Sequence, residues 1–548
     1  MKEEPRAKGT VWWQQGVIYQ IYPRSFRDSN GDGIGDLPGI LERLDYLAQT
    51  LRVDAVWLSP IFPSPMADFG YDVADYTDID PMFGTLHDFD VLLEAVHTKG
   101  MRLIIDFVPS HTSDQHPWFK ESRSSRSSSK RDWYVWRDPK PDGSLPNNWL
   151  SIFGGDAWEW DEATGQYYLH TFVKEQPDLN WRNPEVKAAM FDALRFWLER
   201  GVDGFRIDVA HFIMKDPELR DNPPNPDVGP GGPPAYAWDS QQHVYNLGHP
   251  DVHGVYREVR QLLDEYSAER PRVSIGEIHE FNWPIWVSYY GKNLDELHMP
   301  FNFALLNVAW RPADVRAVVE AVEDVVRVGA WPNYVLGNHD THRLASRVGA
   351  DQTRVALMML LTLRGTPTMY YGEELGMEDV EIPPELVQDP FEKNVPGLGL
   401  GRDPERSPMQ WDASANAGFS TPGAHPWLPV ADNYGTVNVE SELDDPSSTL
   451  NFVRRLLDLR RFTPALHSGT YRSIAVEDAD CYVYRREAEG RRFVVALNFS
   501  AGSKTISVPA YGRGLVRVST HSIEDSEVDL QALHLQPNEG CVVEVHSG

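Results

Sequence analysis

The sequence predicts an α/β protein: a (β/α)8 TIM barrel with a subdomain inserted after strand 3 and a C-terminal antiparallel β domain. Three observations predict it. Short β-branched or aromatic runs alternate with helix-period segments through most of the chain. That alternation breaks once, from Ser110 to about Gln176, in a stretch rich in Ser, Lys, Trp and Gly with no helical period. From about Gly469 the texture changes to short strands and turns. The boundaries read as barrel over 1–109, inserted subdomain over 110–176, barrel again over 177–468, and β domain over 469–548.

Val17–Phe26 reads as the first strand. Leu37–Gln49 follows as a helix, with Leu37, Ile40, Leu41, Leu44 and Leu47 at helical spacing. Val53–Pro60 is the second strand, Phe89–Lys99 a helix closed by Gly100 at a C′-like position, and Arg102–Pro109 the third strand. Strands that are apolar along their whole length, separated by helices, belong to a parallel sheet buried on both faces. After the insertion the pattern resumes with the helix Pro184–Arg200. Five more strand candidates follow, Gly204–Ala210, Arg272–Ile278, Leu297–Phe303, Asn333–Asp340 and Thr366–Tyr371, making eight. An open doubly wound sheet fits less well, because no Gly-rich phosphate turn follows the first strand. Asp221–Pro234, with six prolines and three glycines, is a loop after the fourth strand. On a barrel it belongs at the C-terminal rim, where loops shape a substrate site.

The 51 Lys+Arg against 81 Asp+Glu give a net charge of −30. Such a chain repels phosphate backbones and anionic bilayers, so no nucleic acid and no membrane is expected as a partner. The 18 Trp, 22 Tyr and 22 Phe argue against disorder. The two cysteines, Cys481 and Cys541, form no disulfide framework; they could pair, and the reading favours two reduced buried thiols. Met1–Thr10 is charged without an apolar core, and no apolar run reaches the ~20 residues a spanning helix needs. The expectation is a soluble, cytoplasmic protein, a monomer or small homo-oligomer.

On a barrel, carboxylates at the C-terminal ends of strands are the first candidates for catalysis. The fourth strand reads GFRIDVAH, placing Arg206 and Asp208 on one face. The fifth ends on Glu277, the seventh on His339 and Asp340, and the third carries Asp106 with His111 five residues on. An acid at one strand end is often a helix cap. Three carboxylates, two His and one Arg on one rim suit acetal cleavage, where a retaining glycosidase holds two carboxyls about 5–5.5 Å apart. Arg206 beside Asp208 would keep a nucleophile ionised. Glu277, flanked by Ile275 and Ile278, would stay protonated as the acid.

These residues resemble glycoside hydrolase family 13, the α-amylase family, through DFVPSH (106–111), GFRIDVAH (204–211), GEIHE (276–280) and GNHD (337–340), in that order. QPDLNW (176–181) and GTPTMYYGEELG (365–376) resemble its α-glucosidase and oligo-1,6-glucosidase branch. The resemblance implies Asp208 as nucleophile, Glu277 as general acid/base and Asp340 as the carboxylate that binds the distorted sugar. It implies Tyr71, His111, Gln176, Arg206 and His339 around the glucose that is cleaved off. Asp68, in ADFGYD, and Arg402, in GRDPERSPMQW, resemble the pair that bridges the terminal hydroxyls of a non-reducing glucose and closes the pocket; the alternative is a rim salt bridge worth about 0–1 kcal/mol. Phe153 and Phe172 resemble the aromatic walls of the same pocket, with simple packing of the inserted subdomain equally open. The implied activity is a retaining, exo-acting α-glucosidase on short α-glucosides. Its rivals are a transferase or isomerase of the same family, such as a sucrose isomerase or a trehalose-forming enzyme, and a non-catalytic barrel partner like the amino-acid-transporter heavy chains.

Val209, the residue after the nucleophile, resembles that of enzymes preferring α-1,6 bonds, whereas other segments resemble α-glucosidases of broad tolerance; linkage stays open. DSNGDGIGD (28–36) resembles an EF-hand loop and suits a structural Ca2+ or Mg2+, with Asp28, Asn30, Asp32, Ile34 and Asp36 as ligand positions. Position twelve is Gly39 rather than Glu, so a sensor is not expected, and a ligand-free Asp-rich turn is the alternative. No organic cofactor is expected. Ser110 stands where the family usually has an Asn that helps hold a calcium, so that second calcium is not expected either.

Overall fold

The computed structural model describes residues 11–228, 236–508, 510–521 and 525–546. The expectations for Met1–Thr10, and for the end of the proline-rich loop from 229 to 234, therefore fall outside the described residues. Eight parallel strands form the barrel: β1 (Ile18–Ile21), β2 (Ala55–Leu58), β3 (Arg102–Phe107), β4 (Gly204–Ile207), β5 (Val273–Gly276), β6 (Met299–Pro300), β7 (Asn333–Val335) and β8 (Thr366–Tyr370). They lie side by side in the order β7-β8-β1-β2-β3-β4-β5-β6. All but the first residue of β3 are buried along their whole length, as both-face coverage requires.

Several expected elements are shorter, for local reasons. The first strand stops at Ile21, because Pro23 opens a helical turn, Pro23–Phe26, at a position where its missing N–H costs nothing. The sixth shrinks to Met299–Pro300, since Pro300 has no N–H to extend the ladder. No ladder joins β6 to β7; the Asn333 side chain closes the barrel instead, donating to the Pro300 carbonyl and accepting from Asn302 N (3.0 Å). The helix expected over Leu37–Gln49 divides into Leu37–Glu42 and a wider π-type turn, Tyr46–Leu51, which Arg52 ends at φ +59°. The helix expected from Phe89 begins at Leu86, one turn earlier, on a Thr85/Asp88 capping box. Pro184–Arg200 is helical over the expected span, between an Asn183 cap and Gly201 at φ +106°.

Between β3 and β4, Trp136–Arg137, Trp158–Asp161 and Gln166–Leu169 form a three-stranded antiparallel sheet. A helix, Pro117–Ser124, also lies there, where no helical period was expected: its only buried residues are Phe119 and Ser122, too narrow a stripe to show as a period. Six antiparallel strands between Thr470 and Val545 form a second sheet. Cys481 and Cys541 are buried, free thiols in it. Among the described residues no helix is long and apolar enough to cross a membrane.

Candidate active site

Strand register sets the centre of the site. β4 pairs with β5 so that Arg206 faces Ile275 and Ile207 faces Gly276, which puts Asp208 and Glu277 at neighbouring strand ends. Arg206, buried between them, spans both acids. Its Nη1 donates to Asp208 Oδ1 (2.8 Å) and to Asp106 Oδ2 (3.2 Å), and its Nη2 to Glu277 Oε2 (2.5 Å). Asp106, on β3, is fixed by donors from Trp57 Nε1 (2.9 Å) and the Tyr71 hydroxyl (2.7 Å). The Val209 amide donates to the same Glu277 oxygen (2.9 Å), and His279 Nε2 lies 2.7 Å from the other.

The two carboxyls sit in unequal surroundings. Burial raises Asp208 most; Arg206 opposes it, while the charges of Glu277 and Asp106 add to the rise, and the carboxyl ends well above its usual range. Burial pushes Glu277 up too, but Arg206 and then His279 outweigh it and hold it below its usual range. Two carboxyls this close titrate as a pair. Glu277 receives two cationic or polar donors on one oxygen and His279 on the other, whereas Asp208 has Arg206 alone among the charged donors.

Beyond β7, Asp340 accepts at Oδ1 from Arg402 Nη1 (3.1 Å) and Arg406 Nη2 (2.8 Å). Burial would raise it; His339, Arg402 and Arg406 together drive it far below the usual carboxylate range. Arg402 also donates through Nη2 to Asp68 Oδ1 (2.7 Å) and to Asp389 Oδ1 (2.5 Å). The Asp68–Arg402 pair is thus part of a network in which one buried guanidinium meets two buried carboxylates, Asp68 and Asp389, and the more exposed Asp340, not an exposed rim bridge. Gln176 Nε2 donates to Asp68 Oδ2 (3.2 Å) and lies 3.0 Å from His111 Nε2. Tyr71 stacks on His339 with the rings 5.4 Å apart, and its hydroxyl lies 2.6 Å from His339 Nε2. Gln20 Nε2 is 2.8 Å from His339 Nδ1. Burial lowers His111 to about 4 and His339 to about 3, so both rings are neutral near pH 7 and serve as hydrogen-bonding surfaces rather than charges.

Phe153, Phe172, Val173, Val209 and Phe212 form one apolar cluster. Its edge reaches the polar network: Phe153 lies 5.0 Å under the Arg402 guanidinium, and the Phe172 ring is 5.0 Å from His111. Val209 itself sits at φ +36°, a region that a β-branched residue enters only under strain. The structure therefore brings the predicted carboxylates, Arg206, Tyr71, the two His, Gln176, the Asp68–Arg402 pair and the aromatic positions to one end of the barrel. It adds Gln20, His279, Asp389 and Arg406, which the sequence reading does not single out. Arg406 lies four residues past Arg402 in the same motif, and His279 two past Glu277; only that proximity could have flagged them.

The 28–36 loop is apart from this centre. Asp28 Oδ1 accepts from the amides of Asn30 (3.0 Å) and Gly31 (2.6 Å), and Oδ2 from Gly33 N (2.8 Å). Asn30 and Asp32 each accept from the amide two residues on, a run of Asx turns. Asp36 caps the helix Leu37–Glu42 through Gly39 N. The all-oxygen donor set fits a hard cation in chemistry. As placed, however, Asp28, Asp32 and Asp36 do not gather within 4.8 Å of one another. Ser110 is buried with its hydroxyl unpartnered.

A model of the α-amylase catalytic domain matches residues 20–469. The chain is 39% identical to an oligo-1,6-glucosidase of Parageobacillus thermoglucosidasius over 98% of its own length and 99% of the relative's. It is 42% identical to a probable α-glucosidase of Rhizobium meliloti, covering 95% and 96%. The solved α-glucosyl transfer enzyme XgtA superposes with a TM-score of 0.91 at 42% identity, covering 98% of this chain and 100% of that one. Two of these are glucosidases and the third a glucosyl transfer enzyme, and an amino acid transporter heavy chain of Rattus norvegicus is 39% identical as well, over 97% of this chain and 78% of the relative. The substrate class is a small carbohydrate. This chain is accordingly a glycoside hydrolase of the α-amylase family, glycoside hydrolase family 13, and belongs to its α-glucosidase branch.

Proposed function

We propose a retaining, exo-acting α-glucosidase that releases glucose from the non-reducing end of short maltose- or isomaltose-type oligosaccharides. The observation that carries this is the single guanidinium of Arg206 on both Asp208 and Glu277, with the Asp68–Arg402–Asp340 network beside it. Asp208 attacks the anomeric carbon as the glycosidic bond breaks, and Glu277 gives its proton to the leaving oxygen. Glu277, now a carboxylate, takes a proton from water, whose oxygen displaces Asp208 from the glucosyl ester. Attack requires an ionised Asp208 and a protonated Glu277. The Asp68–Arg402 network supports exo action, because a polymer cannot thread a site closed on one side.

Glucosyl transfer is the second reading, favoured by the 42% identity to a glucosyl transfer enzyme. It shares the ester and differs only in the acceptor. Maltose, isomaltose, trehalose and sucrose, each assayed for free glucose and for new glucosides, separate the two. Free glucose as the main product from maltose or isomaltose is expected; products dominated by new or rearranged disaccharides overturn the hydrolase reading, and no turnover of any favours a non-catalytic partner. In the same panel Val209→Thr should shift the isomaltose-to-maltose ratio of kcat/KM by about tenfold, within the ~1–3 kcal/mol that one methyl group can discriminate. An unchanged ratio removes Val209 as a specificity residue.

We also propose a structural Ca2+ or Mg2+ at 28–36, a cytoplasmic location, and a monomer or small homo-oligomer. The oxygen-only donor set of Asp28, Asn30, Asp32, Ile34 and Asp36 supports the ion. Dialysis against a chelator should remove about one equivalent and lower Tm, with recovery on adding Ca2+. A protein that carries no such metal and keeps its Tm is held by the Asx turns alone.

A further inference from the structure

We propose that His342, Asp379 and Glu405 form a binding site for a divalent transition-metal ion such as Zn2+, separate from the catalytic carboxylates and from the 28–36 loop. One ligand atom from each of the three lies within 4.8 Å of the others, the only such group among the described residues. His342 Nδ1 is 2.9 Å from Asp379 Oδ2 and 3.7 Å from Glu405 Oε2.

The second observation is Glu405 itself. Its residue is 1% exposed, and Oε2, which points at this cluster, has no hydrogen-bond partner. A buried carboxylate oxygen left without a donor is a costly arrangement that native structures rarely keep without an ion or water. His342 does not relieve it: at 3.7 Å it is beyond hydrogen-bonding distance, and its Nδ1 is committed to Asp379. Asp379 is prepared in the complementary way. Its Oδ1 accepts from the Arg343 amide (2.8 Å), which leaves Oδ2 for the cluster.

The donor set then selects the ion. Two carboxylates, with an imidazole that gives up its second proton to the ion, carry two negative charges, which a dication neutralises. One imidazole nitrogen with two carboxylate oxygens and an open fourth position suits Zn2+ and its first-row neighbours. Ca2+, which takes six to eight oxygens, is poorly matched. The His342 side chain is 46% exposed, so an ion can reach the site from solvent.

The location gives the site a consequence. His342 follows Asp340 by two residues, Asp379 lies beyond β8, and Glu405 sits in the turn Pro404–Arg406. Arg406, next to Glu405, donates to Asp340 and to the His339 carbonyl (2.7 Å). An ion at this point ties three loops together immediately behind Asp340.

Full-length protein stripped with a chelator and titrated with Zn2+ by calorimetry tests the site. One saturable equivalent is expected, with a raised Tm that Ca2+ does not reproduce. His342→Ala, at a half-exposed position that should leave folding intact, and Glu405→Gln should each weaken binding by at least about tenfold. Absence of saturable Zn2+ binding, or equal affinity in wild type and His342→Ala, overturns the proposal; in the first case the cluster is an imidazole paired with Asp379 beside Glu405 and no more.

Discussion

Asp208→Ala should lower turnover of a nitrophenyl α-glucoside by on the order of 10^4-fold or more, since the attacking group is gone and no neighbour can replace it. The side chain accepts from Arg206 but caps no helix, so folding should persist. Added azide makes the test specific. In Asp208→Ala the small anion can occupy the vacated space and attack from the face where Asp208 stood, giving the β-glucosyl azide, the inverted anomer. In Glu277→Ala the glucosyl ester still forms from an activated leaving group, and azide then opens it from the other face, giving the α-anomer. The opposite pairing of variant and anomer would exchange the two roles. Retained turnover in Asp208→Ala would remove the covalent route altogether.

How the two central carboxylates are held could not be read from the sequence, and the reason is geometric. Residue types at strand ends announce Asp208, Glu277 and Asp340, because in a parallel barrel every strand delivers its last residues to the same rim. Their surroundings depend on who donates to whom at 2.5–2.9 Å, and the Val209 amide and His279 are invisible as partners until the chain is folded. The same divide runs through the fold. Alternating apolar strands and helices revealed all eight staves, but Pro300 as a ladder breaker and Pro23 as a helix opener acted through single missing N–H groups that run-length reasoning overlooks. Asp36 shows a motif carrying two meanings: by spacing it is a ligand position, and by contact it is a helix cap. Asp389 stayed hidden because its partner, Arg402, is joined to it across a loop rather than along a strand.

Arg402→Met carries the second large effect. The guanidinium sits among Asp68, Asp340 and Asp389, two of them almost wholly buried, and removing it leaves those charges uncompensated. Losing one partner of a buried ion pair costs about 3–5 kcal/mol, so a lower urea midpoint is expected together with a large rise in KM. Arg402→Lys separates the two consequences. A lysine restores the charge but not the fork that reaches three acids at once, so stability should recover in part while KM stays high. If Arg402→Lys has the wild-type KM, the network shapes the protein and not the glucose site.

The way the barrel is fastened between β6 and β7 bears on how the three acids share their work. Asp208 and Glu277 ride on adjacent staves stitched by a continuous ladder, so their spacing is rigidly inherited from the backbone. Asp340 follows five residues after β7, whose seam with β6 is held by the Asn333 side chain. The backbone ladder thus sets the interval between Asp208 and Glu277 directly, while the neighbouring closure depends on one amide side chain, so that Asn333 is as much a part of the barrel's frame as any strand.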